Sequence, residues 1–581
     1  MRIAVTGAGV VSALGIGQKA NLEALLNERS GIAAPAILPT VHKHLPVGEV
    51  KYTNRQLSDL IGIPVETVLP RTSLLGIIAS REALAQAGIS PNGDMAFISG
   101  TTVGGMDLTE QHWEEYLQGS HTETIPLHEA GESTMAIARH LSHGHPSPFA
   151  FVATPSTACS SALNAIMTAA DMIRTGAVQS ALAGGSESLS LFHFNGFRSL
   201  MILDEQACRP FDATRAGLNL GEGAGYLVLE SEDSARQRGA KILAYIGGYA
   251  NACDAFHQTA SSENGEGAYL AMTRAIRMAG LQPEDITFVK AHGTATPNND
   301  ASESAALRRV FGDRLPPVCS TKAFTGHTTS ASGGLEAVFC LMAMQNGFVP
   351  ASLNWIESDG QTITPNPHTL KKEIRHVLCN AFGFGGNESS LVLSADPVEL
   401  PAADGTQASC LRQCVDTIAP DDLSEYIAPL EARRMTPQTR RVVAAAHKAL
   451  REAGIDVPDA IVCATRWGCM RQSMQFLTAM LQSREQDVKP TCFMQSTHNT
   501  IASTIAIRIG CHGYNNTYSQ GERSLECALA DIRAQMALGR IKNALVLEFD
   551  EQTEQWDQVL RHIGERTCDI ARAYVYSLNE Q

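Results

Sequence analysis

Four side chains set the chemistry open to this sequence: Cys159, His292, Lys322 and His327. Cys159 lies in FAFVATPSTACSSALNAIM (149–167), which reads as strand, turn, helix. Leu163, Ile166, Met167, Ala170 and Ile173 recur at helical spacing and face a core. Cys159 then stands at a helix N-terminus, where unpaired amides and the macrodipole favour a thiolate. Its small neighbours Ala158, Ser160, Ser161 and Ala162 leave room for an acyl group on sulfur. A nucleophile on a strand-to-helix elbow suits acyl transfer; the bland alternative is one more buried cysteine. His292 ends the strand FVK in AHGTATPNNDASE (291–303). Lys322 and His327 share the glycine-rich turn of STKAFTGHTTSASGGLEA (320–337). NAFGFGGNESSLVLS (380–394) adds a glycine loop with Phe382 and Phe384, able to bring backbone amides close to a reacting carbonyl. Strand-end loops are where α/β proteins keep their sites.

The elements that position these residues repeat along the chain. Arg81–Met106, Thr273–Pro297 and His447–Met470 each read as an amphipathic helix, Ala-Gly, a short link with Pro, and an apolar strand. Such units predict α/β architecture with sheets covered by helices. Two of them fall in residues 1 to about 397, as the halves of a duplicated domain, and the third opens a shorter copy that aligns with the first half. Between them SADPVELPAADGTQASC (394–410) reads as linker. In the third copy Gly539 aligns with Gly176, and the position aligned with Cys159 holds Glu522. Matching Cys527 to Cys159 instead would need a deletion inside a helix that spoils its apolar face, so Cys527 is read as a core cysteine.

Composition bounds the rest. A chain of 581 residues with 44% hydrophobic and 18% charged residues suits two to four globular units. A net charge of −15 repels nucleic acid and anionic membrane. No stretch approaches the roughly 20 apolar residues of a membrane span. The 14 cysteines have no framework spacing, and neither Cys410/Cys414 nor Cys463/Cys469 is followed by a second matched pair, which predicts free thiols, no zinc and a reducing, cytoplasmic setting. MRIAVTGAGVVSALG could pass for a secretory signal, but polar Thr6 and the glycines favour a buried strand Ile3–Thr6 followed by a glycine turn. A dinucleotide loop at Gly7 and Gly9 is disfavoured, with Ser12 where a third glycine belongs.

TACSSA, GGSES, ACRPFD, LGEGAG, AHGTATP, TKAFTGHT and NAFGFGG, in that order over residues 1 to about 397, resemble the β-ketoacyl-acyl carrier protein synthases of the elongating Cys–His–His type. The resemblance implies a thiolase-like fold, with duplicated βαβαβαββ halves in five α-β-α-β-α layers. It implies that Cys159 is acylated from an acyl-carrier protein and that a malonyl-carrier protein follows. His292 and His327 then stabilise the enolate left by CO2, which attacks the acyl group to give a 3-oxoacyl chain two carbons longer. The amides of Cys159 and Phe384 would form the oxyanion hole, with Phe384 as a gate. Lys322, paired with Glu336 or an acid such as Glu303, would order the histidines, with Asp300 as a further supporting acid. Thr294 and Thr296, and Thr259 as a third, would line the pantetheine tunnel; His257 reads as structural. No cofactor is implied beyond the phosphopantetheine carried by the partner. Carrier docking by Arg71 and Arg198, and a homodimer, are further expectations. GGNE (385–388) and Asn299 depart from the family pattern. A degradative thiolase acting on coenzyme A thioesters lacks its second Cys-x-Gly loop here.

The expected domains are 1–245 (first half, with the nucleophile), 246–397 (second half, with both histidines), 398–424 (linker) and 425–581 (degenerate half). The last lacks HGT and GHT motifs. It resembles truncated chain-length-factor proteins of polyene and pigment pathways, and is expected to dock on the active domain and shape its acyl tunnel or dimer contact. The competing readings are a stability appendage for this unit and a non-catalytic scaffold for the whole chain.

Overall fold

The structure is a computed structural model that describes residues 1–64, 66–118, 129–142, 149–401, 403, 411–562 and 568–578. Its first unit has strands β1 (Ile3–Ser12), β2 (Met95–Gly100), β3 (Phe151–Ala153), β4 (Ser180–Glu187) and β5 (Gly223–Ser231). The second has β6 (Ala244–Cys253), β7 (Phe288–Lys290), β8 (Val318–Cys319), β9 (His376–Gly383) and β10 (Asn387–Ser394). The third has β11 (Leu411–Ile418), β12 (Ala460–Ala464), β13 (Tyr514–Tyr518), β14 (Asn543–Asp550) and β15 (Ile570–Leu578). The sheets run β1-β5-β4-β2-β3, β6-β10-β9-β7-β8 and β11-β15-β14-β12-β13. In each, the first two pairings are antiparallel and the last two parallel. One topology occurs three times, as the repeats predict.

The first two sheets join where Ala4 and Val5 of β1 pair with Tyr245 and Ala244 of β6. Helices Ser161–Arg174 and Ser332–Asn346 pack on each other in the middle layer, and Arg71–Ala87 and Glu266–Met278 cover the outer faces. Every residue of Ser161–Arg174 is buried, so the helix behind Cys159 is held on all sides. No helix among the described residues is long and apolar enough to cross a membrane.

Two local expectations change. The strand after Met1 does not stop at Thr6 but runs to Ser12 through both glycines. The glycines serve packing: a Cβ on Gly9 would lie 1.9 Å from the Ala79 carbonyl oxygen of the covering helix. The segment expected as linker contains β11, which pairs along β15, so the third sheet begins before residue 425. Most of the residues between Ala402 and Cys410 lie outside the described residues.

The third unit meets the first strand end to strand end. Pro155 and Tyr518, which occupy aligned positions in their units, form an antiparallel bridge. The Ser156 amide donates to the Thr517 carbonyl at 2.8 Å, and the Ser519 amide donates to the Thr154 carbonyl at 3.0 Å. Equivalent residues bonding reciprocally is the pattern of an isologous contact, here made within one chain. Cys527 is buried in this interface, its sulfur 3.7 Å from the Val152 carbonyl oxygen, as expected of a core cysteine. The helix Ser524–Ala537 packs on Ser161–Arg174 of the first unit. Where Leu163 and Ala170 are buried in the first unit, the aligned Glu526 and Arg533 are exposed. The face that a second half would cover has turned polar.

Candidate active site

Cys159 sits on a 3-10 turn, Ala158–Ser160, that feeds the buried helix. Ala158 holds φ at +52°, a strained value for a residue with a Cβ, and this makes the elbow sharp. The third unit repeats the turn without its chemistry. The Thr157 amide donates to Ser161 Oγ at 2.9 Å and the Gln520 amide to Ser524 Oγ at 2.8 Å, with Gly521 at φ +59° where Ala158 stands. Glu522 occupies the position of Cys159 and is exposed.

His292 and His327 come from loops after β7 and after the short helix Lys322–Thr325. The Cys159 sulfur and the ring nitrogens of the two histidines lie within 4.8 Å of one another, all buried. His327 Nε2 is 3.0 Å from Sγ, and its Nδ1 is 3.1 Å from Ser332 Oγ. Burial, then the nearby Lys322 charge, holds both imidazoles well below their ordinary range, so both are neutral. Burial also pushes the Cys159 thiol up to about 12, outweighing Lys322 and the Phe384 amide that point the other way. The expected thiolate is therefore corrected: desolvation by burial outweighs the helix terminus, and the resting pair is a neutral thiol beside a neutral imidazole.

Glu336 resolves the alternatives for Lys322. Its Oε1 accepts from Lys322 Nζ at 2.6 Å, and its Oε2 pairs with Lys290, a buried cation that sequence reasoning missed. The signal was a lysine inside the apolar strand FVK. Glu303 instead accepts the His292 and Gly293 amides at 2.8 and 2.7 Å, fixing the histidine loop, and Asp300 accepts the Phe211 and Ala295 amides at 2.7 and 3.1 Å. Asn387, a departure from the family pattern, accepts from Ser160 Oγ, Asn164 Nδ2 and Asn251 Nδ2 at 2.7–2.9 Å. The Glu388 carboxyl is buried, and its Oε2 has no hydrogen-bond partner among the described residues.

Two cavities meet at Cys159. One of about 440 Å³ is lined by His292, His327, Phe384 and Glu388 and by Thr259, Thr294 and Thr296. The second, of about 40 Å³, lies behind the sulfur and is lined by Met106, Phe192, His193 and Phe197 of the first unit and by Ser473, Phe493, Ser496 and Thr497 of the third. Phe384 borders both. Arg71, expected at a docking surface, is buried and bound to Glu222 at 2.6 Å, so it cannot meet a partner. Arg198 is engaged by Asn195 at 2.9 Å and by the Glu485 carbonyl of the third unit.

The beta-ketoacyl synthase N-terminal domain matches residues 1–235, its C-terminal domain matches 243–355, and a second N-terminal domain matches 410–578. The chain is 36% identical over 406 residues to nodulation protein E of Rhizobium meliloti, covering 67% of this chain and 98% of that one. It is 32% identical over 418 residues to 3-oxoacyl-[acyl-carrier-protein] synthase 2 of Vibrio cholerae serotype O1, again covering 67% and 98%. Among solved structures, the ishigamide ketosynthase/chain length factor aligns at 32% identity and a TM-score of 0.62, covering 68% of this chain and 99% of that one. The PfaC keto synthase-chain length factor shares the fold over 99% of this chain and 78% of its own, at a TM-score of 0.80 and 17% identity. This chain belongs to the β-ketoacyl synthase family, acyltransferases of thiolase-like fold, and carries a second, half-length synthase region behind the complete one. Synthases of this type need no cofactor of their own, because the phosphopantetheine arrives on the carrier protein.

Proposed function

We infer that the first two units condense an acyl group held on Cys159 with a malonyl group delivered on acyl carrier protein. The observation that carries this reading is the buried Cys159–His292–His327 cluster in a cavity of about 440 Å³ lined by Thr259, Thr294 and Thr296. Cys159 attacks the acyl thioester as His327 Nε2 takes its proton, and the carrier thiol leaves with a proton. The malonyl thioester then enters the same cavity. Its C–C bond to the carboxylate breaks, CO2 departs, and the neutral imidazoles donate to the enolate oxygen. The enolate carbon attacks the acyl carbonyl, whose oxyanion faces the amides of Cys159 and Phe384; the C–S bond breaks to give the 3-oxoacyl product, and the Cys159 sulfur regains a proton from solvent. Lys322 and Glu336 hold the charge beside the histidines. Thr259, Thr294 and Thr296 meet the pantetheine arm.

The third unit is the chain's own chain-length-factor-like partner. Its support is the pseudo-two-fold bond pattern at Pro155 and Tyr518 and the four side chains that it gives to the cavity behind Cys159. It covers the strand edge through which a second copy would make the same contact, so the expected homodimer is replaced there by an intramolecular pair. The three sheets support domain limits of 1–243, 244–400 and about 410–578. The free thiols of the described cysteines support a cytoplasmic setting.

Incubation with acyl-carrier protein and either malonyl-carrier protein or acyl-coenzyme A tests the reaction. CO2 release matched to 3-oxoacyl-carrier product is expected with the malonyl donor. Carbon–carbon bond formation from acyl-coenzyme A alone would place the enzyme with the thiolases.

A further inference from the structure

We propose that Asn499, on the third unit, is a positioning residue for the Phe384 loop, so that the degenerate unit sets the gate of the active site. Asn499 stands at the N-cap of helix Thr500–Ile509 and is buried, at 2% exposure. An asparagine there normally turns its side chain onto the first amides of its own helix. This one makes no such bond. Its Nδ2 instead crosses the boundary between units and donates to the Phe384 carbonyl at 2.9 Å.

The neighbouring contacts hold the same loop. Gly385, at φ +87°, lies against Asn499 and Ser503; a Cβ there would stand 2.8 Å from Asn499 Nδ2. The Gly385 amide donates to the Gln258 carbonyl at 2.7 Å, and Gln258 Nε2 donates to Thr504 Oγ1, on the same helix, at 3.1 Å. The Phe384 ring stacks on Phe197 at 5.6 Å, and Phe197 packs at 5.6 Å on Phe493 of the third unit. Carbonyl, following glycine and ring are thus all referred to the third unit, while the Phe384 amide points at the Cys159 sulfur. A loop held this way keeps its amide aimed and its ring closed until an acyl group moves it.

The inference rests on the gating role read for Phe384. Losing the Asn499 bond frees the loop, so malonyl thioester reaches the histidines before Cys159 is acylated. The malonyl C–C bond then breaks, CO2 leaves, and water protonates the enolate to give acetyl thioester without condensation. In the full-length protein, Asn499→Asp keeps the size but removes the donor. Its uncoupled CO2 release, relative to 3-oxoacyl product, should rise about tenfold, the worth of one hydrogen bond to a buried carbonyl. A merely structural role would lower both outputs together and leave their ratio at the wild-type value, which would overturn the proposal. Phe384→Ala separates the layers. If that variant stays coupled, the gating role of Phe384 fails. If it uncouples while Asn499→Asp does not, only the Asn499 assignment fails. Should Asn499→Asp not accumulate, Thr504→Val removes the second clamp with little change of shape, and retained coupling in it overturns the proposal equally.

Discussion

Replacing His327 with alanine should slow acylation of Cys159 sharply, because His327 Nε2 is the proton acceptor bonded to the sulfur. The thiol moves from an ordinary 9.0 to about 12 under burial. That corresponds to about 4 kcal/mol against a bare thiolate, or roughly one thiolate in 30,000 at pH 7.5. A proton acceptor must therefore move with the attack, and His327 Nε2, neutral and 3.0 Å from Sγ, is placed for it. Its Nδ1 lies 3.1 Å from Ser332 Oγ, a hydroxyl able to accept or donate, so Nε2 can accept the thiol proton in acylation and donate to the enolate afterwards. General-base help of this kind is worth about 10²–10⁴ in rate. Single-turnover transfer from an acyl thioester should fall by that factor in His327→Ala. In His327→Ala, where only free thiolate is left to react, alkylation of Cys159 by iodoacetamide should climb about tenfold per pH unit through pH 9 without a plateau. A plateau with a midpoint below pH 8, or unchanged acyl transfer in His327→Ala, would refute the neutral-pair reasoning.

Glu388→Gln should raise the melting temperature at pH 8 more than at pH 5. Burial holds the Glu388 carboxyl well above its ordinary range, so the unfolded chain releases its proton first and stability falls as pH rises from about 4.5 towards the folded value. Equal shifts at both pH values, read by thermal melting, would show that the carboxyl is already ionised in the fold. Glu336→Ala strips two buried lysines of their counter-ion. The expected loss is about 3–5 kcal/mol, seen as a large drop in melting temperature, and a variant as stable as wild type would show that water or another acid takes over.

Much of this arrangement is legible in the chain. Cys159 could be placed because its helix pattern fixes the elbow, and His292 and His327 because each follows a strand or turn with a sharp glycine signature. Glu522 could be placed because a helix tolerates no deletion between it and Gly539; the reciprocal Pro155–Tyr518 bridge shows the alignment in space. What escaped has physical reasons. β11 is an edge strand, and its exposed Arg412, Gln413 and Asp416 made it read as linker. Arg71 looked like a surface cation because nothing local says that Glu222, 151 residues away, buries it. Lys290 hides in an apolar strand, and its partner Glu336 lies on a helix, 46 residues further along the chain. Asn499 sits in a unit without chemistry, and only its contact across the boundary gives it a role. The thiolate expectation failed because a helix terminus is local, whereas the desolvation that outweighs it comes from the whole fold.

The central claim is that Cys159 carries the acyl group that malonyl condensation extends. Intact-protein mass spectrometry after exposure to an acyl-carrier protein, followed by a chase with malonyl-carrier protein, tests it directly. The wild type should gain one acyl mass at Cys159 and lose it on the chase as 3-oxoacyl-carrier product and CO2 appear, while Cys159→Ala gains nothing. An acyl adduct on any other residue, or 3-oxoacyl product from Cys159→Ala, would contradict the account.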